Sequence, residues 1–412
     1  MSQLFEITLG IMTAVGGFVD ISELVFASQA GSRFGFALIW VFVLATVGMG
    51  VFGEMSGRVA AIAKQPVFNL MRQRLGLLFG FGTLAASVLV STITCAAEIG
   101  GMALVLQLLT GWAYPLLAIL STVALMAIIW VVPFKGIERG FGLLGLLMLV
   151  FLVATAKLHP DWSAVATGLV PQIPQGLSSH ALLSFAYFVI AIISAVMFPY
   201  EAYFYSSGAI EEHWGPKDLK VNLLTTTVGF GLGSTLAIGL LINAAVVFKP
   251  LSIGPQMPGS VAMQVAIPFG KTGLLLALGG MFFAISGAAV ETGLSAAYSI
   301  AQFLGWPWGR YLKPHQAPRF TIAWLGVFLA ALLLVLTGVG PLQLVEWAVV
   351  FSVIVLPLTY LPLLLVANDR KYMNRHANGW FANVLGWSFY VLVTIAGVAA
   401  LPLYLLSSGG KL

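Results

Sequence analysis

Met197-Phe198-Pro199-Tyr200-Glu201 places a proline and a carboxylate inside a run that is otherwise apolar from 182 to 207. That run is long enough to cross a bilayer, whose hydrocarbon core takes about 20 helical residues. Proline has no amide hydrogen and its ring crowds the carbonyl four residues back, so the helix is expected to break here. A plain proline kink is the simpler reading. Glu201 argues for more, because an ionisable group at the middle of a membrane helix costs about 2.5–3.5 kcal/mol and is kept where it works.

The rest of the chain repeats the apolar pattern. Of 412 residues 60% are hydrophobic and 8% are charged, against about a quarter charged in soluble domains. Apolar runs of membrane-spanning length predict eleven spans, near 7–28, 34–55, 78–109, 113–133, 140–157, 182–207, 222–248, 271–300, 320–338, 343–366 and 384–406. Loop charges support the odd count. With the N-terminus cytoplasmic, one side holds fourteen cations: Arg58, Lys64, Arg72, Arg74, Lys135, Arg139, Lys217, Lys220, Arg310, Lys313, Arg319, Arg370, Lys371 and Arg375. The other side holds Arg33, Lys157, Lys249, Lys271 and Lys411, so the bias places the C-terminus outside. The net charge of +5 is scattered over short loops rather than gathered on one face, which argues against a nucleic-acid partner. The lone Cys95 offers neither a disulfide framework nor a cysteine zinc site. No cleavable signal peptide is read, and no linker divides the chain, so 1–412 is expected to be a single transmembrane domain.

All the ionisable groups at span depth are acidic: Asp20 and Glu23 in the first span, Glu54, Glu98, Glu201, Glu291 and Glu346. Asp20-Ile21-Ser22-Glu23 follows Gly16-Gly17, a pair that weakens a helix, and its two carboxylates converge whether the stretch is helical or unwound. A helix-end pair reaching for water is the simpler reading, which the apolar residues on both sides oppose. Interrupted segments at corresponding positions of two halves point to a transporter site at the midplane of an inverted repeat. Spans 1 and 6 open two successive groups of five, 7–157 and 182–366, followed by an additional helix at 384–406. Asp20, Glu23 and Glu201, with Phe198, Tyr200 and backbone oxygens, are therefore candidates to surround a cation. Glu54 and Glu346 are read as interfacial, and Glu291 as a pathway or second-ion group.

These residues resemble the NRAMP family of divalent metal transporters. The likeness is carried by Leu356-Pro357-Leu358, Leu361-Pro362-Leu363-Leu364-Leu365, Asn368-Asp369-Arg370-Lys371-Tyr372-Met373 and Asn383-Val384-Leu385-Gly386-Trp387, and by Ser56-Gly57-Arg58-Val59, Ala97-Glu98 and Tyr203-Phe204-Tyr205-Ser206-Ser207. It implies an all-α integral membrane protein of the LeuT-type 5+5 inverted repeat, with helices 1 and 6 interrupted. The departures fall on the metal site. The family's Asp-Pro-Gly-Asn reads Asp20-Ile21-Ser22-Glu23, and its Met-Pro-His reads Phe198-Pro199-Tyr200. A thioether and a histidine are gone and a carboxylate is added, which suits harder ions such as Mg2+ and Mn2+. Along the family's proton route Cys95 replaces an acid and Tyr205 a histidine, Glu98 remains, and the family's span-10 glutamine falls on Val355. All five histidines are read as loop residues. These changes resemble an NRAMP-related branch that moves magnesium and manganese without proton coupling. Proton-coupled Mn2+ or Fe2+ uptake, and a permease for an organic solute on the same fold, stay open.

An enzyme is not expected, since no nucleophile–base pairing appears. Gly140-Phe141-Gly142-Leu143-Leu144-Gly145 matches a dinucleotide pattern but opens a membrane span. Gly229, Gly231 and Gly233 read as close helix packing. No cofactor is expected beyond the transported cation, the lipid bilayer is the one macroscopic partner, a monomer suffices, and a bacterial inner membrane is the expected location.

Overall fold

In a computed structural model the chain is described over residues 19–255 and 257–410, and every regular element among them is helical. Residues 7–18 of the expected first span, Gly16 and Gly17 included, lie outside the described residues. The helices are α1 (Ile21–Phe34), α2 (Ile39–Ala63), α3 (Val67–Leu75), α4 (Leu77–Thr110), α5 (Tyr114–Val131), α6 (Phe134–Gly145), α7 (Leu149–Lys157), α8 (Trp162–Thr167), α9 (Ser179–Val196), α10 (Pro199–Glu211), α11 (Leu219–Val247), α12 (Pro258–Leu304), α13 (Pro318–Leu336), α14 (Pro341–Asn368), α15 (Arg370–Met373) and α16 (Trp380–Leu406). Among the described residues ten helical stretches are long and apolar enough to cross a membrane. They match the second to eleventh expected spans in order. Helices suit this solvent because each backbone amide is satisfied within its own segment.

Helix starts follow local chemistry. Proline opens α10, α12, α13 and α14, where its missing amide hydrogen costs no bond and its φ is already helical. Boundaries depart from expectation in two places. The second span runs Ile39–Ala63 rather than 34–55, because Phe34 and Gly35 close α1 first. The eighth extends back to Pro258 across Pro268 and a break at Gly270, whose φ of 62° and ψ of −150° need a residue without Cβ. Where the hydropathy pattern predicts a loop before Lys271, Val261, Ala262 and Val265 are instead buried as a helical segment. His180 is likewise not a loop residue, but an exposed one in the first turn of α9. Gly140–Gly145 lies on α6 with no strand beside it among the described residues. Of Gly229, Gly231 and Gly233 in span 7, Gly229 and Gly233 are buried, whereas a Cβ at Gly231 would meet open space.

Packing fixes the position of α1. α12 lies along α4, and α1 lies against α11. The second contact is backbone to backbone: a Cβ at Gly31 would collide with the Leu241 carbonyl oxygen. On its other side α1 meets α9 through edge-on rings, Phe26 with Tyr187 at 6.1 Å, Phe34 with Phe185 at 5.2 Å and Phe34 with Phe188 at 5.7 Å. Such pairs add about 0.5–1.5 kcal/mol each to the area they bury. α1 is thereby held between α9 and α11, with its N-terminal end deep in the bundle.

Gly31→Ala is expected to lower stability by about 1–3 kcal/mol through overpacking, read as a lower thermal unfolding midpoint in detergent. Gly50→Ala, where a Cβ meets nothing within 4 Å, is expected to hold or raise the midpoint. Equal midpoints for the two variants would remove the close α1–α11 approach from the account.

Candidate functional site

Two helix starts meet in the interior. Asp20 is the N-cap of α1, in extended backbone, and its Oδ1 accepts the Glu23 amide at 2.8 Å. This is the standard way to satisfy an orphan donor of the first turn. The Ile21 amide donates to Glu98 Oε1 at 3.3 Å, so α4 supplies a second carboxylate to the same terminus. Across from it α9 stops at Val196, Met197 and Phe198 are unwound, and α10 starts at Pro199 with Glu201 in its first turn. The positive ends of both helices therefore carry acidic side chains, the favourable placement for a negative group.

The carboxylates share one electrostatic neighbourhood. Glu23 is within reach of Asp20 and Glu201, Glu201 of Asp20 and Glu291, and Glu98 of Asp20. Asp20, Glu23 and Glu98 are exposed by only 2, 3 and 0%, while Glu201 and Glu291 are half-buried. One carboxylate oxygen of each of Asp20, Glu23, Glu98 and Glu201 is buried without a hydrogen-bond partner. Among the described residues no ion pair joins a lysine or arginine to these four. Leaving such oxygens unmatched in a low-dielectric interior is costly. Among the described residues no three His, Cys, Asp or Glu side chains stand close enough to grip a metal ion between them. The acids are spaced around the two helix starts rather than gathered at a point.

Phe198 and Tyr200 flank the break as buried rings 5.4 Å apart. The Tyr200 hydroxyl is buried without a partner, while its carbonyl accepts Ser295 Oγ of α12 at 3.0 Å. Cys95, one turn before Glu98, donates its thiol to the Ala289 carbonyl at 3.9 Å. Tyr205 belongs elsewhere: its hydroxyl reaches the Asn222 carbonyl at 3.5 Å and its ring meets Trp214. The two acids read as interfacial both have protein partners. Glu54 pairs with Arg58 one turn on at 2.8 Å, and Glu346 is 3% exposed and accepts the Tyr404 hydroxyl at 3.2 Å. A carboxylate so far from water needs such a donor.

Sequence reasoning misses two contributors to the break. Ser295 is one; Tyr360 of α14 is the other, its hydroxyl 3.4 Å from the Met197 carbonyl. The adjacent polar pair Thr359-Tyr360 between Pro357 and Pro362 is the available signal. Val355, aligned with the family's glutamine, is a buried aliphatic.

Two helix starts meeting around buried acids, in a bundle of long apolar helices, define an integral membrane protein of the LeuT-type all-α fold. The solved structures agree on the fold. The chain superposes on the Eremococcus coleocola manganese transporter with a TM-score of 0.74 at 18% identity, covering 98% of this chain and 90% of that one. It superposes on MHP1, a nucleobase-cation-symport-1 family transporter, with a TM-score of 0.62 at 14% identity, covering 97% and 91%. Residues 10–402 match the model for Nramp, natural resistance-associated macrophage protein-like; the chain belongs to that family. Among curated relatives it is 27% identical to the divalent metal cation transporter MntH of Ralstonia nicotianae, over 94% of this chain and 88% of the relative. It is 25% identical to MntH of Mycobacterium leprae, over 94% and 89%.

Asp20→Ala and Asp20→Asn both remove the charge, but only asparagine can still cap α1. Asp20→Ala is expected to unfold at a lower temperature than Asp20→Asn in detergent, by the equivalent of about 0.5–2 kcal/mol. Coincident midpoints would mean that the Glu23 amide does not depend on this cap.

Proposed function

We propose that the chain moves a hard divalent cation, Mg2+ or Mn2+ or both, across the membrane through the break between α9 and α10, as a facilitator or secondary transporter without strong proton coupling. It is a transporter, then, and no enzyme. The supporting observation is the group of buried carboxylate oxygens on Asp20, Glu23, Glu98 and Glu201 that lack hydrogen-bond partners. A divalent ion would offset their mutual repulsion, and the first turns of α1 and α10 direct their positive ends at the same place. The names of its relatives, divalent metal cation transporters and a manganese transporter, support the divalent-cation part of this reading.

Asp20, Glu23 and Glu201 would be the acidic ligands, with carbonyls of the unwound stretch between them; Phe198 and Tyr200 would wall the site. Not every one of these acids need touch the ion directly, because Mg2+ retains several waters through which a carboxylate can act. Acids spaced apart fit a partly hydrated ion better than a bare one. Phe198 in place of a thioether removes the one soft ligand expected in this position. Glu98, Glu291 and Cys95 would line the route, and Tyr205 its far end. Residues 7–157 and 182–366 would be the two inverted repeats, with 384–406 appended, in a monomer of a bacterial inner membrane whose N-terminus is cytoplasmic and C-terminus outside.

Proton-coupled uptake of Mn2+ or Fe2+ is the second reading, favoured by Glu98, which stays buried at the α1 terminus. Proteoliposomes separate the two. With internal reporters of metal and pH, the unmutated chain is expected to admit Mg2+ and Mn2+ with little acidification, and Asp20→Ala and Glu201→Ala to abolish entry. Acidification in step with metal entry would establish the second reading; entry of a radiolabelled amine or amino acid without metal would end both. Phe198→Met is expected to raise Mn2+ entry relative to Mg2+ in the same vesicles, and an unchanged ratio would remove Phe198 from the ion's surroundings.

A further inference from the structure

One carbonyl in the break between α9 and α10 finds its partner on a helix distant in sequence. Met197 is the unwound residue that follows α9, with φ −115° and ψ 56°, and its carbonyl lies outside the ladder of either helix. The hydroxyl facing it is that of Tyr360, fully buried on α14. Its ring lies flat on Phe52 of α2, centroids 3.7 Å apart and planes within 9°. The same hydroxyl stands 3.7 Å from Met49 Sδ, also on α2. Tyr360 is also within electrostatic reach of Glu201. One side chain of α14 therefore touches the break and α2 and lies close to an acid of the candidate site.

Neighbouring hydroxyls do different work. Ser295 and Ser56 donate to the Tyr200 and Ala202 carbonyls, which lie inside α10, and Ser194 of α9 donates to the Val349 carbonyl of α14 at 2.6 Å. These pin helices together. The Tyr360 hydroxyl instead meets an unwound carbonyl, and it does so at 3.4 Å, about 0.6 Å beyond the usual O–H···O length. A small slide of α14 along α9 would tighten or release it. The stack on Phe52 sets the ring plane, so the hydroxyl has little freedom to follow the carbonyl by itself.

We propose that Tyr360 is a positioning residue for the transported cation, its hydroxyl setting the direction of the Met197 carbonyl beside the acids of the break. This role rests on the transport reading above. When the hydroxyl holds that carbonyl, the oxygen is fixed in place; when it lets go, the carbonyl turns and the ion loses a preset neighbour. Preset oxygens lower the reorganisation needed on binding, which is felt in affinity more than in turnover.

Tyr360→Phe keeps the stack and removes only the hydroxyl. In the proteoliposome assay its KM for Mn2+ is expected to rise about five- to tenfold with kcat within about twofold, and its thermal unfolding midpoint to fall only slightly, because the Met197 carbonyl is left buried without that donor. An unchanged KM, or a fall in kcat and midpoint together at constant KM, overturns the inference while leaving cation transport by the unmutated chain intact. Should Tyr360→Phe fail to fold, Phe52→Leu loosens the stack that aims the hydroxyl; the same selective rise in KM is expected, and an unchanged KM overturns the proposal. Absence of any cation entry by the unmutated chain would instead overturn the transport reading, and this inference with it.

Discussion

A carbonyl without an amide in a place without water is the constraint from which the rest follows. Pro199 removes one hydrogen bond from a helix surrounded by apolar side chains, and there is no solvent to replace it. The chain resolves this by ending α9 at Val196 and starting α10 afresh at Pro199. A new start brings a new positive terminus, so a carboxylate at Glu201 is better placed there than anywhere else along the span. The break and the acid are two sides of one requirement.

The same logic holds in the first span. Asp20 caps α1 and Glu98 reaches across from α4 to the same terminus, so a buried helix end is satisfied by groups that are themselves in need of a positive partner. Each of these two carboxylates gives one oxygen to the backbone and leaves the other unmatched. The interior thus holds structure and unmet charge in the same few atoms. Membrane proteins retain such arrangements where ions pass.

Around this centre the bundle is closely packed. Gly31 lets α1 touch the backbone of α11, rings of α1 and α9 interlock, and Arg310 pairs with Glu211 at 3.0 Å and Glu212 at 2.9 Å. A buried ion pair like the first of these is weak evidence for stability, because desolvation offsets much of the attraction. Tight packing on both flanks of α1 leaves the unwound pair Met197 and Phe198 as a place where the fold has local choice.

Much was legible without coordinates. Long apolar runs declare membrane helices because a helix satisfies its own backbone in lipid, and Pro199 beside Glu201 declares a break because both residues are costly in an unbroken span. Spans two to eleven appear in the expected order for that reason. What local pattern could not supply is which polar groups face one another. The short-range code says that Glu346 is acidic and near a span end; only packing against Tyr404 shows it buried. It says that Tyr205 follows Glu201 by one turn; only the position of α11 carries it off to Asn222. Tyr360 stands 163 residues beyond Met197 in the chain, yet its hydroxyl meets that carbonyl because α14 crosses the break. Hydropathy and proline act within one segment and are read from it, whereas the partners of a charge or a carbonyl are decided by helices distant in sequence, and their approach exists only once the bundle has closed.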